Sequence, residues 1–186
     1  MRIRRVLCVA MLALPLLSGA AFAKDKAAEQ AEVQKKTHAT LERFYKAKPE
    51  LKDAVAKSPG YGVFTTYGIS FIVGGEGGAG IVHDNKTKKL TYMKVGGASA
   101  GLQLGASQTE VLMIFKSTDQ MNKFIESGWE AVGSATASVG ASGATAGGGR
   151  GTTTKEDAET YTMTKNGLEA GLAVGTAKFW KDKDLN

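Results

Sequence analysis

Between Lys24 and Lys57 the apolar residues recur at helical spacing. Val33, Thr37, Leu41, Phe44 and Tyr45 fall on one stripe of a 3.6-residue wheel, and Glu32, Lys35, Lys36, Glu42, Arg43 and Lys46 occupy the opposite side. Glu32–Lys36 and Glu42–Lys46 are i,i+4 pairs in the favourable order. Pro49 ends this helix or opens a second, short one in which Leu51, Ala54 and Val55 face inward. From Gly60 the period changes to two. Tyr61–Tyr67, Ile69–Val73, Ala79–His83, Leu90–Val95 and Leu102–Ala106 read as strands, separated by glycines or by the turn Asp84-Asn85-Lys86-Thr87. Glu110–Phe115 is a compact apolar run, the pattern of a buried central strand. Ser117 or Thr118 can cap a short helix carrying Met121, Phe124 and Ile125, which Gly128 stops. Thr160–Lys165 and Leu168–Val174 flank Asn166-Gly167, a hairpin signal. From Gly133 to Thr154 glycine alternates with Ala, Ser and Thr, a composition that fits small-residue strands and a loop equally well.

Glycine sharpens the division. All but one of the 24 glycines lie between Gly60 and Gly175, and none lies between Lys24 and Pro59. A charged helical arm over 24–58 therefore precedes a Gly-rich β body over 59–186, together one domain. An enzyme of alternating strands and helices would spread its helices along the whole chain. The expected fold is α+β: an antiparallel β-rich single domain, a small barrel or sandwich, with N-terminal helices and one short internal helix. The glycines suit tight curvature, since they accept positive φ at turns and bulges.

Residues 1–23 have the form of an export signal. Arg2, Arg4 and Arg5 make a positive start, Val6–Leu17 is apolar but too short for a stable span, and Ala21-Phe22-Ala23 fits a small-x-small cleavage site. The expected mature N-terminus is Lys24, and the expected location is the bacterial periplasm. Cys8 lies in the apolar stretch with no lipobox around it, so no cysteine remains to form a disulfide. The roughly 160 remaining residues suffice for one core-stabilised domain. Losing three arginines lowers the formal charge from +6 to +3. Mild basicity permits contact with anionic lipid, and nothing resembles a nucleic-acid motif or basic tract.

Two enzyme-like strings fail on context. Gly75-Glu76-Gly77-Gly78-Ala79-Gly80 fits a dinucleotide fingerprint, but that motif must open a helix, whereas Ile81-Val82-His83 continues as strand. Gly97-Ala98-Ser99-Ala100-Gly101 fits a nucleophile elbow, but no histidine follows His83 to complete the triad. Only His38 and His83 are available for a metal, far apart, and His83 reads as a strand-end surface residue. No metal, cofactor or catalytic residue is implied.

The order of features in the body resembles the SYLF domain family, whose eukaryotic members include yeast actin-patch proteins that bind Las-type actin regulators. The family's short helix, lysine-rich turn and Gly-x-Phe-like strand are matched by Ala56-Lys57-Ser58-Pro59-Gly60-Tyr61-Gly62-Val63-Phe64. Its glycine cluster is matched by Gly74–Val82, and its Gly-x-Gln-x-Gly strand by Gly101-Leu102-Gln103-Leu104-Gly105. Its closing hairpin is matched by Tyr161-Thr162-Met163-Thr164-Lys165-Asn166-Gly167-Leu168-Glu169-Ala170-Gly171. Two segments depart: Thr91–Gly97 lacks the usual Trp-Ser-x-Pro, and Gly140-Ala141-Ser142-Gly143 replaces an Ala-Ala-Gly-Pro-like stretch. No SH3 domain or Pro-rich motif is present, so partnerships made through such appendages do not carry over. The resemblance implies phospholipid binding, with anionic headgroups preferred in studied relatives, and no catalytic residue.

The residues add their own support for a lipid module. Lys86, Lys88, Lys89 and Lys94 make a lysine-dense hairpin, and Lys35, Lys36, Arg43 and Lys46 line the polar back of the arm. The arm has two readings, a helix lying on a membrane or a helix packed on its own domain. Its mixed charge favours the second, since a surface-seeking helix is more one-sidedly basic. The expected function is therefore non-enzymatic binding to anionic phospholipid or a membrane surface, with no nucleic acid and no assigned protein partner. The alternative is a structural or envelope-stress protein acting through protein contacts. An outer-membrane barrel is disfavoured by the helical arm, the helix near Met121 and a C-terminus without a final aromatic.

Overall fold

The helical stripe finds its partner within the chain. In the computed structural model, which describes residues 18–70, 73–100, 105–131, 150–151, 158–164, 167–170 and 176–186, α1 runs from Ser18 to Ala47. It starts upstream of the expected cleavage point. Val33, Thr37, Thr40, Leu41 and Phe44 are buried along its length, while Lys35, Glu42 and Lys46 remain exposed. The Glu32–Lys36 pair forms at 2.7 Å. Pro49 stands at the N-cap of α2 (Glu50–Lys57), which buries Leu51 and Val55.

Nine strands form one antiparallel sheet among the described residues: β1 (Gly60–Ser70), β2 (Val73–Asp84), β3 (Leu90–Ala100), β4 (Gly105–Phe115), β5 (Trp129–Ala131), β6 (Arg150–Gly151), β7 (Ala158–Thr164), β8 (Gly167–Ala170) and β9 (Thr176–Lys181). Their order is β6-β5-β9-β3-β2-β1-β4-β7-β8. The first three strands form a meander, β4 returns to the free side of β1, and β9 joins beyond β3. This corrects the expected barrel or sandwich. Among the described residues the sheet has two end strands, β6 and β8, and does not close into a barrel. Its faces are covered by helices instead of by a second sheet, which is the other way for a sheet to bury both sides.

Side-chain alternation decides which helix covers which face. Val63 packs with Leu41, Phe44, Leu112 and Ile114 under α1 and α2. Its neighbour Phe64 points the other way, into a core with Val111, Met113, Phe115 and Phe179 that α3 (Thr118–Ser127) covers with Met121 and Phe124. Ring centroids in that core lie 4.8 Å apart for Phe64–Phe179 and 5.3 Å for Phe115–Phe124. Such pairs add about 0.5–1.5 kcal/mol each beyond area burial. Ser117 caps α3 by accepting from Gln120 N, and Gly128 ends it at φ 69°, where a side chain would be strained.

Several boundaries differ from expectation. Ile69–Val73 is not one strand: β1 ends at Ser70, β2 begins at Val73, and Ser70 pairs with Gly74. Ala106 and the Glu110–Phe115 run belong to a single strand, β4, while residues 102–104 lie outside the described residues. Thr164 pairs with Gly167, so Gly167 belongs to β8; Lys165 and Asn166 lie outside the described residues. Of the Gly-rich stretch 133–154, only residues 150–151 are described, as β6.

Candidate functional site

The β2–β3 turn holds three of the expected lysines, and its geometry is fixed from inside. Asp84 Oδ1 accepts from the backbone N–H of Lys86 at 2.8 Å and of Thr87 at 3.0 Å. Those bonds, that from Thr87 foremost, hold the Asp84 carboxyl below the usual carboxylate range. Lys88 adopts φ 61°, the left-handed region, and its N–H donates to Asp84 O at 2.9 Å. Asn85 ties the turn to α2: its Nδ2 donates to Val55 O at 2.7 Å and to Ser58 O at 2.9 Å. Its backbone N–H donates to Pro59 O at 2.9 Å. His83 stacks on Tyr61 with centroids 5.1 Å apart and meets Asn85 Oδ1, so it serves as a strand-end residue.

Lys86, Lys88 and Lys89 all point into solvent from this anchored turn. The register adds two cations that no run in the sequence marks. Gly60 is opposite both Asp84 and Phe115, which brings Lys57, at the end of α2, and Lys116, just after β4, to the same end of the sheet. Both are exposed, and Lys57 lies 3.9 Å from Asp53. Their signal is topological: each sits at the tip of an element, and only strand pairing shows that the tips converge.

The remaining expected cations sit elsewhere. Lys94, inside β3, bridges Asp182 at 3.2 Å and Asp184 at 3.1 Å, and the hydrogen bond to Asp184 raises its pKa. Arg43 grips Glu110 of β4 through both its Nε, at 2.9 Å, and its Nη2. Gln108 and Thr40 complete that network. Lys36 pairs with Glu32 and lies 6.0 Å from the Tyr67 ring centre. Lys35 and Lys46 are exposed along α1. The stripe that a membrane-lying helix would need is buried against the sheet, which is the packed reading of the arm.

The enzyme-like strings lie in strands. Gly75–Gly80 is inside β2, and Gly97–Ala100 is inside β3, so neither opens a helix. Among the described residues no cluster of three His, Cys, Asp or Glu side chains could hold a metal, and no helix is long and apolar enough to cross a membrane. Beside α1 a groove of about 250 Å³ is lined by Glu29, Glu32 and Lys36 from the helix and by Tyr67 and Ala79 from the sheet.

Fold and site together define an α+β single domain that presents cations on a fixed surface. Residues 96–186, from mid-β3 to the C-terminus, match the family described as Ysc84, Las17-binding protein actin regulator, which is the SYLF family. Over 172 residues the chain is also 30% identical to beta cell expansion factor A of Aeromonas veronii, an alignment that takes in 86% of this chain and 60% of that protein. The chain thus spans about 60% of the length of that relative. The SYLF domain is known for binding lipid.

Proposed function

We propose that the protein is a non-enzymatic module of the bacterial cell envelope, exported to the periplasm, that binds anionic phospholipid through the basic end of its sheet. The observation that carries this reading is the anchored β2–β3 turn, which holds Lys86, Lys88 and Lys89 in solvent beside Lys57 and Lys116. A turn already fixed by Asn85 and Asp84 loses little freedom on docking, so its charge attraction is not spent on ordering a loop. Each lysine near an anionic bilayer is worth about 1 kcal/mol, decaying over a Debye length of about 8 Å at physiological salt.

Co-sedimentation with vesicles tests the reading. Recovery is expected with phosphatidylglycerol-containing vesicles and not with pure phosphatidylcholine, and it falls as salt rises. The triple variant Lys86→Glu, Lys88→Glu, Lys89→Glu removes about 3 kcal/mol of attraction and adds repulsion, a loss of at least about a hundredfold in partitioning. Its thermal midpoint should stay close to the parent's, because the anchoring contacts come from Asn85 and Asp84. Equal recovery with both vesicle types would overturn the reading in favour of protein contacts within the envelope. Periplasmic material with an intact mass beginning at Lys24 supports the proposed location; a mass retaining Arg2–Arg5 removes it.

A further inference from the structure

On the face that α1 shares, beyond the helix, the sheet exposes a floor of glycine between two aromatic rings. One cross-strand row contains Tyr67 on β1, Gly77 on β2, Gly96 on β3 and Lys178 on β9, each opposite the next. Tyr67 and Trp180 are the large hydrophobic side chains left exposed among the described residues, at 51% and 39%. Trp180 extends from β9 across to β3: its Cη2 and Cζ3 lie 3.1 and 3.4 Å from where a Cβ on Gly96 would stand. The indole is therefore laid over the glycine. Between the rings, a Cβ on Gly77 would meet nothing nearer than 4.0 Å, and one on Gly75 would meet nothing within 4 Å.

The register gives the spacing. Tyr67 on β1 and the Trp180 ring over β3 are two strands apart, about 10 Å. That separation corresponds to alternate rings of an extended β-1,4-linked glycan, whose flat apolar ring faces stack on aromatic side chains. The charged groups around the patch are Glu29, Glu32 and Lys36 on α1, Lys178 on β9, and Lys94 with Asp182 and Asp184, so positive charge is not in excess. A trough without excess positive charge suits a neutral polyhydroxylated chain, and its carboxylates and ammonium groups can bond to hydroxyls along the edge. An anionic surface of the kind read at the lysine turn gains no net attraction from these groups. Gly60 at the lysine end and Tyr67 are seven residues apart on β1, about 23 Å, so the two surfaces are separate.

We propose that this trough binds a β-1,4-linked polysaccharide, with alternate pyranose rings stacked on Trp180 and Tyr67 over the Gly77 floor. The test titrates the full chain with cellobiose, cellotriose and cellohexaose, and in parallel with the corresponding chitin oligosaccharides, following binding by calorimetry. Three rings are the fewest that reach both aromatics. Affinity is therefore expected to step up from the disaccharide to the trisaccharide and to plateau soon after. Trp180→Ala and Tyr67→Ala are each expected to lose about tenfold and to abolish the step. Gly77→Leu puts a side chain on the floor at a position where its Cβ would meet nothing nearer than 4.0 Å, and it is expected to block binding with a thermal midpoint close to the parent's. All three variants should bind vesicles like the parent, and the lysine-turn variant should bind oligosaccharide like the parent, so each surface can fail alone. No binding of either oligosaccharide series, no step at three rings, or unaltered affinity in Gly77→Leu would overturn the proposal.

Discussion

Removing the Arg43 guanidinium isolates a charge inside the fold, and its cost can be worked from the structure. Glu110 sits on β4 under α1 with 5% of its side chain exposed, while Arg43 is 47% exposed. Arg43→Met keeps much of the aliphatic stem and leaves the carboxylate with Gln108 Nε2, at 2.8 Å, as its remaining side-chain donor. Breaking a fully buried pair costs about 3–5 kcal/mol, and solvent around Arg43 reduces that, giving about 2 kcal/mol here. For a domain of this size the thermal midpoint falls by about 4–8 °C. The loss should localise. α1 rests on the sheet through the packing of Val33, Leu41 and Phe44, this grip and the Thr40–Thr65 contact at 3.1 Å, so amide exchange should quicken over α1 before it does in α3. Adding Glu110→Gln removes the stranded charge, and the double variant should recover more than 1 kcal/mol relative to Arg43→Met, by the coupling argument of a double-mutant cycle. An unchanged midpoint in Arg43→Met, or strictly additive losses in the double variant, would refute the claim that this pair fastens the helix.

Ser117→Ala removes the side chain that accepts from Gln120 N and should cost about 1 kcal/mol in chemical denaturation. Asp84 has a folded pKa below its ordinary value, so the stability it contributes is present above the unfolded pKa and lost as pH falls through the folded one. The amide signals of Lys86 and Thr87 should accordingly shift with a midpoint below that of an unperturbed aspartate, and Asp84→Asn should abolish the transition. Burial pushes the Tyr45 phenol up to about 12, so its contribution is complete below pH 10 and declines as pH rises towards 12. Tyr45→Phe should remove that part of the alkaline loss, measured as midpoint against pH.

The parts of the fold visible in the sequence were those with local causes. Pro49 punctuated the helices, Ser117 and Gly128 bracketed α3, and the stripe Val33–Thr37–Leu41–Phe44 marked one helix face, because capping, φ and periodicity act over a few residues. Several strand boundaries were misplaced for a related reason. Glycines at Gly68, Gly74, Gly75 and Gly105 look like punctuation, yet all lie inside β1, β2 or β4, where the pairing extends through them. Closure was not legible either. Whether a curved sheet meets itself depends on which helix covers which face, and that follows from the alternation of Val63 and Phe64 against residues more than fifty positions away, such as Phe124.

The candidate site shows how far charge counting reaches. Lys86, Lys88 and Lys89 form a run because one turn carries them, so the sequence displays them directly. Lys94 is near them in the chain but points at Asp182 and Asp184, which are brought beside it by the pairing of β9 with β3. Lys57 and Lys116 are distant in the chain and join the turn through the pairings of Gly60. A basic surface is thus a property of strand register, and the same register sets Tyr67 and Trp180 on either side of Gly77. Positive charge at one end of the sheet and paired aromatics on a face without excess positive charge call for chemically different ligands. A protein built this way would hold a bilayer by its lysine end while its aromatic face remains free to engage a second ligand.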